Sequence, residues 1–328
     1  MAMKKGMMFT LVVLIALSIV FIIAFSRTRY SITDKQQVYE SRIMTMNDFI
    51  KSFESDAVRA IYISSFRSLI AMEDYVSSNA EFLNDTDYYF KQIFFDGQVI
   101  DDEYTFDIMN GSTFQDYQSK VSGIAREINI QFNSSVNSIH LEMANPWTVR
   151  VYVDISVNLT DFSGLASWRY NKTISSDIPI IDLRDPMYSV NTLGKLPVII
   201  RKSHYKTFVN DTDNKNDTIN LQIHLNNSYY INNTMAPNFL MRFENNISPD
   251  INGIESLVNL QVLADQGWVI GCNDRSIVDY LYFNETETDV WCNIQNMIFQ
   301  PDNWFIMDTA HVDIYHINNT LDHSPCTC

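Results

Sequence analysis

Glycine is scarce in this chain, with only nine among 328 residues. Loops that cradle phosphate groups need clustered glycines, and the sequence contains no glycine-rich nucleotide loop, no Gly-x-Ser-x-Gly turn and no His-Glu-x-x-His pair. The six histidines are dispersed and show no metal-ligand spacing. These absences favour a protein that is not an enzyme, and we expect no cofactor and no bound metal.

Basic residues are also scarce: Lys and Arg number 23 against 39 Asp and Glu, which gives a formal net charge of −16 at pH 7. Such a chain repels a phosphate backbone, so nucleic acid is excluded as a partner. Apolar residues still make up 46% of the chain and aromatic residues 13%. That is enough to bury a core in one large domain or two smaller ones, and it excludes a disordered acidic tail.

Glycine and proline are both absent from residues 7–96, an interval that favours uninterrupted helix. Within it, residues 7–25 carry no charged side chain. As a helix they would be about 28 Å long, close to the thickness of the hydrocarbon core of a bilayer. We therefore expect a transmembrane helix within residues 1–30 and the cell membrane as a partner.

A long stalk helix is predicted over residues 31–82. The pattern Ser31-x-x-Asp34 is that of a capping box, so we expect this helix to restart after a short break at residues 26–30. Apolar residues then recur every three or four positions, which predicts one buried face. Residues 84–110 combine aromatic and acidic side chains without a clear period, and we expect a loop-rich stretch there.

An antiparallel sheet is predicted next. Thr113 and Asp116 form a second capping-box pattern that opens a helix, and residues 149–160 alternate strictly between apolar and polar side chains, as in a strand with one buried face. We expect strands over residues 139–143, 149–160 and 168–174. The fold class is therefore α+β: a helix plus antiparallel sheet domain over residues 83–185 follows the stalk, and a second region with short helices spans residues 186–328.

The glycosylation motif Asn-x-Ser/Thr, without proline at x, occurs twelve times. The acceptors are Asn84, Asn110, Asn133, Asn158, Asn171, Asn210, Asn216, Asn226, Asn232, Asn246, Asn284 and Asn318. A chain with 31 asparagines also collects such motifs by chance, and this alternative stays open. The number nevertheless favours a glycoprotein at the cell surface. We expect a single-pass topology in the cell membrane, with the N-terminus inside and the body outside.

Cysteine is absent from the first 271 residues, and the four that occur are Cys272, Cys292, Cys326 and Cys328. An even number of cysteines in an external protein predicts disulfides, here with three possible pairings. The alternative is a metal site in which His323 joins the cysteines. We predict disulfides that stabilise the second region.

Two basic residues, a small residue and an apolar helix, Lys4-Lys5-Gly6 before Met7, resemble the class III signal of archaeal type IV pilin-like proteins. The resemblance implies cleavage between Gly6 and Met7 and assembly with other copies or other pilin-like subunits through the N-terminal helix. Pilins commonly carry a glutamate at the fifth mature position, where this chain has Leu11. An uncleaved anchor is the alternative.

The sequence Asp185-Pro186-Met187-Tyr188 also resembles a connector found in uncharacterised archaeal membrane proteins, to which no activity is attached. Two hypotheses for function follow. The first is a pilin-like or minor-pilin-like subunit with a glycosylated extracellular head, acting in adhesion or filament assembly. The second is a monomeric membrane-anchored domain that binds something outside the cell.

Overall fold

The computed structural model describes residues 2–101, 103–212, 215–268, 270, 275–286, 290–292 and 305–317. At residues 2–8, 26–35, 210–212, 215–216 and 290–292 only the backbone is described. The helices are α1 (Ala2–Asn79), α2 (Thr86–Asp96), α3 (Phe114–Glu127), α4 (Pro186–Asn191), α5 (Ile219–Asn226), α6 (Phe239–Arg242), α7 (Leu260–Asp265), α8 (Asp279–Phe283) and α9 (Thr309–Ile314), with a 3-10 turn at Asp107–Met109.

The strands are β1 (Gln98–Val99), β2 (Tyr104–Thr105), β3 (Ile130–Asn145), β4 (Thr148–Asp161), β5 (Ser167–Pro179), β6 (Asn210–Thr212), β7 (Lys215–Asp217), β8 (Tyr230–Asn232), β9 (Ile254–Ser256), β10 (Val290–Cys292) and β11 (Ile306–Asp308). β3, β4 and β5 form one sheet in that order, and β1–β2, β6–β7, β8–β9 and β10–β11 are antiparallel pairs. The α+β class with antiparallel sheets is therefore present in the described part of the chain.

The prediction of a transmembrane helix is wrong. Among the described residues, no helix is long and apolar enough to cross a membrane. The described apolar side chains near the start of α1 lie in residues 9–25 and are exposed, Leu14 at 67% and Phe21 at 68%. The predicted single-pass membrane localisation, with the body outside, is overturned with the predicted helix.

The predicted break at residues 26–30 is also absent, because the α1 backbone is helical without interruption from Ala2 to Asn79. No glycine or proline lies between residues 7 and 96 to end the helix earlier. Ala80 follows with a φ of 54°, a left-handed conformation that stops the helical ladder. Stalk and N-terminal segment are thus one helix.

The central strand β4 confirms the alternating pattern. Its inward side chains are at most 1% exposed, whereas the alternate ones are half-buried. The inward set is Val149, Val151, Val153, Ile155, Val157 and Leu159. β3 and β5 confirm the flanking strands and are longer than predicted. Burial of one face of β4 thus supplies a large part of the sheet's core.

The stretch predicted to be loop-rich contains helix α2. Asp85 caps its first turn by accepting a hydrogen bond from the Tyr88 amide at 3.0 Å, and Gly97 ends it with a φ of 71°. Ile93 and Phe94 follow Phe90 by three and four residues, and all three side chains are fully buried. The helical spacing of these three side chains did not stand out in the sequence, because exposed aromatic and acidic residues lie between and around them.

The chain divides into two compact units. Unit 1 comprises residues 1–56, 120–135 and 156–171, and unit 2 comprises residues 57–119, 136–155 and 172–328. Within unit 1, Arg42 forms an ion pair with Asp161 and donates a hydrogen bond to the Ile128 carbonyl at 2.8 Å. Within unit 2 lie the short helices α4 to α9, and the candidate site described next belongs to this unit alone.

Candidate functional site

Arg242, at the last position of α6, is a fully buried charge of unit 2 and is 0% exposed. Its Nη2 lies 2.6 Å from Oδ2 of Asp185 and 2.5 Å from Oδ2 of Asp279, and both carboxylates are also 0% exposed. Its Nη1 donates a hydrogen bond to the Ile254 carbonyl at 3.0 Å. We call Arg242, Asp185 and Asp279 the Arg242 cluster.

Hydroxyl and amide groups complete the hydrogen bonds of the Arg242 cluster. The Tyr230 hydroxyl donates to Oδ2 of Asp185 at 2.6 Å, and the Ser256 hydroxyl donates to Oδ2 of Asp279 at 2.8 Å. Burial raises the pKa of Asp279 to about 6, against the opposing attraction of Arg242, and the nearby charge of Asp185 adds to the rise. Buried charges are tolerated only when paired and hydrogen-bonded in this way.

The Arg242 cluster holds the beginnings of two short helices. Asp185 is the N-cap of α4, where its Oδ1 accepts from the Met187 amide at 2.8 Å, and Asp279 is the first residue of α8. Helices of five or six residues are unstable alone, so tertiary contacts must position them. Arg242 therefore sets the position of α4 relative to α8 within unit 2.

A cavity of about 320 Å³ lies among α4, α7 and α8. It is lined by Asn191, Thr192, Leu263, Trp268, Ile270, Arg275, Tyr282, Phe283 and Glu285. The Phe283 ring packs edge-on against Tyr188 at 4.9 Å between centroids, and the Tyr188 hydroxyl lies 3.0 Å from Oγ of Ser256. The walls of the cavity are thus connected to the Arg242 cluster.

Two polar features mark this cavity. Nη1 of Arg275 lies 3.2 Å from Oε1 of Glu285, and the two side chains are 28% and 71% exposed. Nε1 of Trp268 is buried without a hydrogen-bond partner among the described residues. The cavity therefore combines an aromatic wall, an ion pair near solvent and one unused buried donor.

A second buried cation is His311 on α9, 1% exposed. Its Nδ1 lies 2.7 Å from Asp308, and its Nε2 lies 3.2 Å from Glu255 and 3.2 Å from the Tyr280 hydroxyl. Burial lowers the pKa of His311, but hydrogen bonds and charge from Asp308 and Glu255 outweigh it and raise that pKa to about 10. We call His311, Asp308 and Glu255 the His311 cluster.

The His311 cluster has the base and the orienting carboxylate of a nucleophilic active site but a different third member. Nε2 faces the Glu255 carboxylate and the Tyr280 phenol, where such a site places a serine, threonine or cysteine. A histidine that stays protonated near neutral pH is also a poor general base. The arrangement is a buried ion network that joins α9 to β9.

The predicted glycosylation sites are spread over both units. Nine have described side chains, and none of these is buried. Asn84, Asn110, Asn133, Asn171, Asn226, Asn232, Asn246 and Asn284 are exposed, and Asn158 is half-buried on the polar face of β4. The side chains of Asn210, Asn216 and Asn318 lie outside the described residues. Glycosylation itself stays a prediction.

The predicted disulfides also stay predictions. Cys272, Cys326 and Cys328 lie outside the described residues, as does His323 of the alternative metal site, and only the backbone of Cys292 is described, in β10. The predicted processing site at Lys4, Lys5, Gly6 and Met7 lies in the helical backbone of α1. Among the described residues, no group of three or more His, Cys, Asp or Glu side chains is arranged to hold a metal ion.

Sequence reasoning missed both buried clusters. A signal was present at Asp185-Pro186, since Asp followed by proline is the pattern of an N-cap and first helical residue. Arg242 stands in an apolar run, Phe-Leu-Met-Arg-Phe, where a charge needs a partner. Neither signal identifies that partner.

No protein-family model matches the chain, and no curated protein and no solved structure matches it. Its function must therefore be argued from its own residues. Two features of the structure bear on its function: the exposed apolar segment of α1 and the cavity of unit 2.

Proposed function

We propose that this chain is a non-enzymatic, pilin-like structural subunit that assembles with copies of itself through the N-terminal segment of α1. One observation carries the proposal: residues 9–25 expose apolar side chains around the whole helix. The consecutive residues Leu11, Val12, Val13, Leu14 and Ile15 are between 46% and 67% exposed. Successive helical residues are rotated by about 100°, so these five cover the circumference.

Exposed apolar surface of this extent is unfavourable in water and marks an interaction surface. A dimer would cover one side of the helix and leave the other exposed. A segment that is apolar on every side is covered when several copies enclose one another, as in a bundle or filament. The chain's net charge of −16 opposes close approach elsewhere, which favours association confined to this uncharged segment.

The resemblance to pilin-like proteins supports the same proposal. Leu11 occupies the position where pilins commonly carry the glutamate used in assembly, and it is 59% exposed. In this chain we expect the contact at that position to be apolar. The stripe of α1 formed by Met46, Phe53 and Ala57 is at most 4% exposed, whereas every side chain of residues 9–25 is exposed.

Sedimentation velocity of the full chain in detergent-free buffer tests the proposal. We expect a species larger than a dimer, and Leu14→Glu together with Phe21→Glu should reduce it to a monomer. Ile251→Glu is the matched control, because Ile251 is an isolated apolar residue that is 80% exposed. A monomeric wild-type chain, or equal dissociation by Ile251→Glu, would overturn self-assembly.

A further inference from the structure

We propose that the cavity among α4, α7 and α8 is a binding site for one neutral sugar ring. Its volume of about 320 Å³ lies at the lower end of the range for small-molecule sites, which suits a ligand of one ring better than an oligomer. The proposal concerns unit 2 alone and does not depend on self-assembly through α1.

The first step of the argument is the apolar wall. Tyr282 and Phe283 of α8, Leu263 of α7 and Ile270 line the cavity. A pyranose ring has an apolar face made of C–H groups, and aromatic side chains bury such faces well. This wall therefore fits a ligand with one apolar face and a polar rim.

The second step is the ion pair. Arg275 only donates hydrogen bonds and ionised Glu285 only accepts them, and their charges lie 3.2 Å apart. A purely anionic ligand is repelled by Glu285, and a purely cationic one by Arg275. Adjacent sugar hydroxyls donate and accept at once, so a neutral polyol matches both partners without displacing either charge.

The third step is the unused donor. Nε1–H of Trp268 is buried and has no acceptor among the described residues, a situation that folded proteins avoid. Trp268 lines the cavity, and a turn of its ring would bring this N–H to a hydroxyl or ring oxygen of a bound sugar, which would accept the hydrogen bond. Asn191 and Thr192 line the same cavity at its α4 side, where the Asn191 side chain donates to the Met187 carbonyl at 2.9 Å and the Thr192 hydroxyl to the Tyr188 carbonyl at 2.7 Å.

The fourth step is rigidity. Asp185 and Asp279 are both bonded to Arg242, which holds α4 and α8 in place without a ligand. The Phe283 ring is supported by Tyr188, 1% exposed, at 4.9 Å between ring centroids. A site whose walls are already in place loses less entropy on binding, which favours measurable affinity for a ligand as small as one ring.

The test is titration of the full chain with the methyl glycosides of glucose, galactose, mannose and N-acetylglucosamine, followed by saturation-transfer NMR and calorimetry. We expect at least one to bind, and Trp268→Phe to weaken it about fivefold by removing one hydrogen bond. Glu285→Gln, at a site 71% exposed, should weaken it several-fold while leaving the fold intact. Trp147→Phe is the matched control: Lys202 lies 5.4 Å from the Trp147 ring, as Lys195 lies 5.8 Å from that of Trp268.

Three outcomes would overturn the inference: no glycoside binds, only a charged glycoside such as methyl glucuronide binds, or Trp268→Phe and Glu285→Gln both bind like the wild type. The Leu14→Glu, Phe21→Glu variant should bind the glycoside with wild-type affinity. Loss of assembly and loss of sugar binding are therefore separate results, and each bears on one proposal only.

Discussion

Two buried cations of unit 2, Arg242 and His311, each face two carboxylates. In the Arg242 cluster, Asp185 and Asp279 lie within 2.6 Å of the guanidinium, and in the His311 cluster the imidazole has Asp308 on one nitrogen and Glu255 on the other. The difference lies in the cation. Arginine keeps its charge at every accessible pH, whereas histidine loses it.

Because of this difference, the two clusters respond differently to pH and to mutation. In the Arg242 cluster the group that titrates is a carboxylate, Asp279, with its pKa raised to about 6. In the His311 cluster it is the cation, with its pKa raised to about 10. Two networks with similar charge balance therefore lose stability in different pH ranges. The predictions that follow separate them, in decreasing order of expected effect.

The largest effect is expected from Arg242→Met. The change removes the only guanidinium between two fully buried carboxylates, and uncompensated buried charge costs about 3–5 kcal/mol. Urea unfolding of the full chain at pH 7 measures the loss. Arg150→Met is the control, because the Arg150–Asp177 pair is 37% and 51% exposed and surface pairs contribute little. Equal losses for the two variants would show that the Arg242 cluster is not a major source of stability.

The His311 cluster should weaken in alkali. The folded pKa of His311, about 10, lies above its ordinary value of about 6.5, so its contribution is complete below pH 6.5 and is lost as pH rises through 10. The loss is on the order of 5 kcal/mol. Tyr280, Asp308 and Glu255 are titratable groups that face the ring.

The measurement is the difference in unfolding free energy between the wild type and His311→Gln at intervals from pH 6 to pH 10. We expect this difference to shrink steadily, since the glutamine side chain of the variant carries no charge to lose. A difference that stays constant over this range would mean that His311 is neutral in the folded protein.

How much of the fold and of the site was predictable from the sequence depends on how far apart along the chain the interacting residues lie. The alternation over residues 149–160 predicted β4, and Thr113 does form the expected capping box, its Oγ1 accepting from the Asp116 amide at 3.0 Å. Those signals are local. The Arg242 cluster joins side chains 57 and 37 positions apart, and no short pattern encodes which carboxylates meet one arginine.

Helix α1 shows the same limit within one element. Among the apolar residues that recur every three or four positions in the predicted stalk, Met46, Phe53 and Ala57 are buried. Tyr39 and Ile43 belong to the same recurring set but are exposed, both at 46%. Spacing predicts which residues share a face, and it does so correctly here. The face is buried over only part of this 78-residue helix. Which part is buried depends on packing against residues far away in the sequence.

A smaller pH effect is expected from the Arg242 cluster. Because burial raises the folded pKa of Asp279 from about 3.8 to about 6, the contribution of Asp279 is complete below pH 3.8 and is lost as pH rises through 6. The loss is up to about 3 kcal/mol. The stability of the wild type relative to Asp279→Asn should therefore fall between pH 4 and pH 6.5. A rise over this range would mean that Arg242 lowers the pKa of Asp279 more than burial raises it.

The smallest effects come from the two tyrosine hydroxyls, and they compare the clusters directly. The Tyr230 hydroxyl donates to the Asp185 carboxylate at 2.6 Å, so Tyr230→Phe removes a hydrogen bond to a charged group, worth about 1.5–3 kcal/mol. The Tyr280 hydroxyl lies 3.2 Å from Nε2 of His311, which also faces Glu255 at 3.2 Å. Nε2 therefore keeps a partner in Tyr280→Phe, and we expect a loss below about 1 kcal/mol. Urea unfolding of both variants at pH 7 provides the measurement, and a larger loss for Tyr280→Phe would mean that the phenol, not Glu255, is the main partner of Nε2.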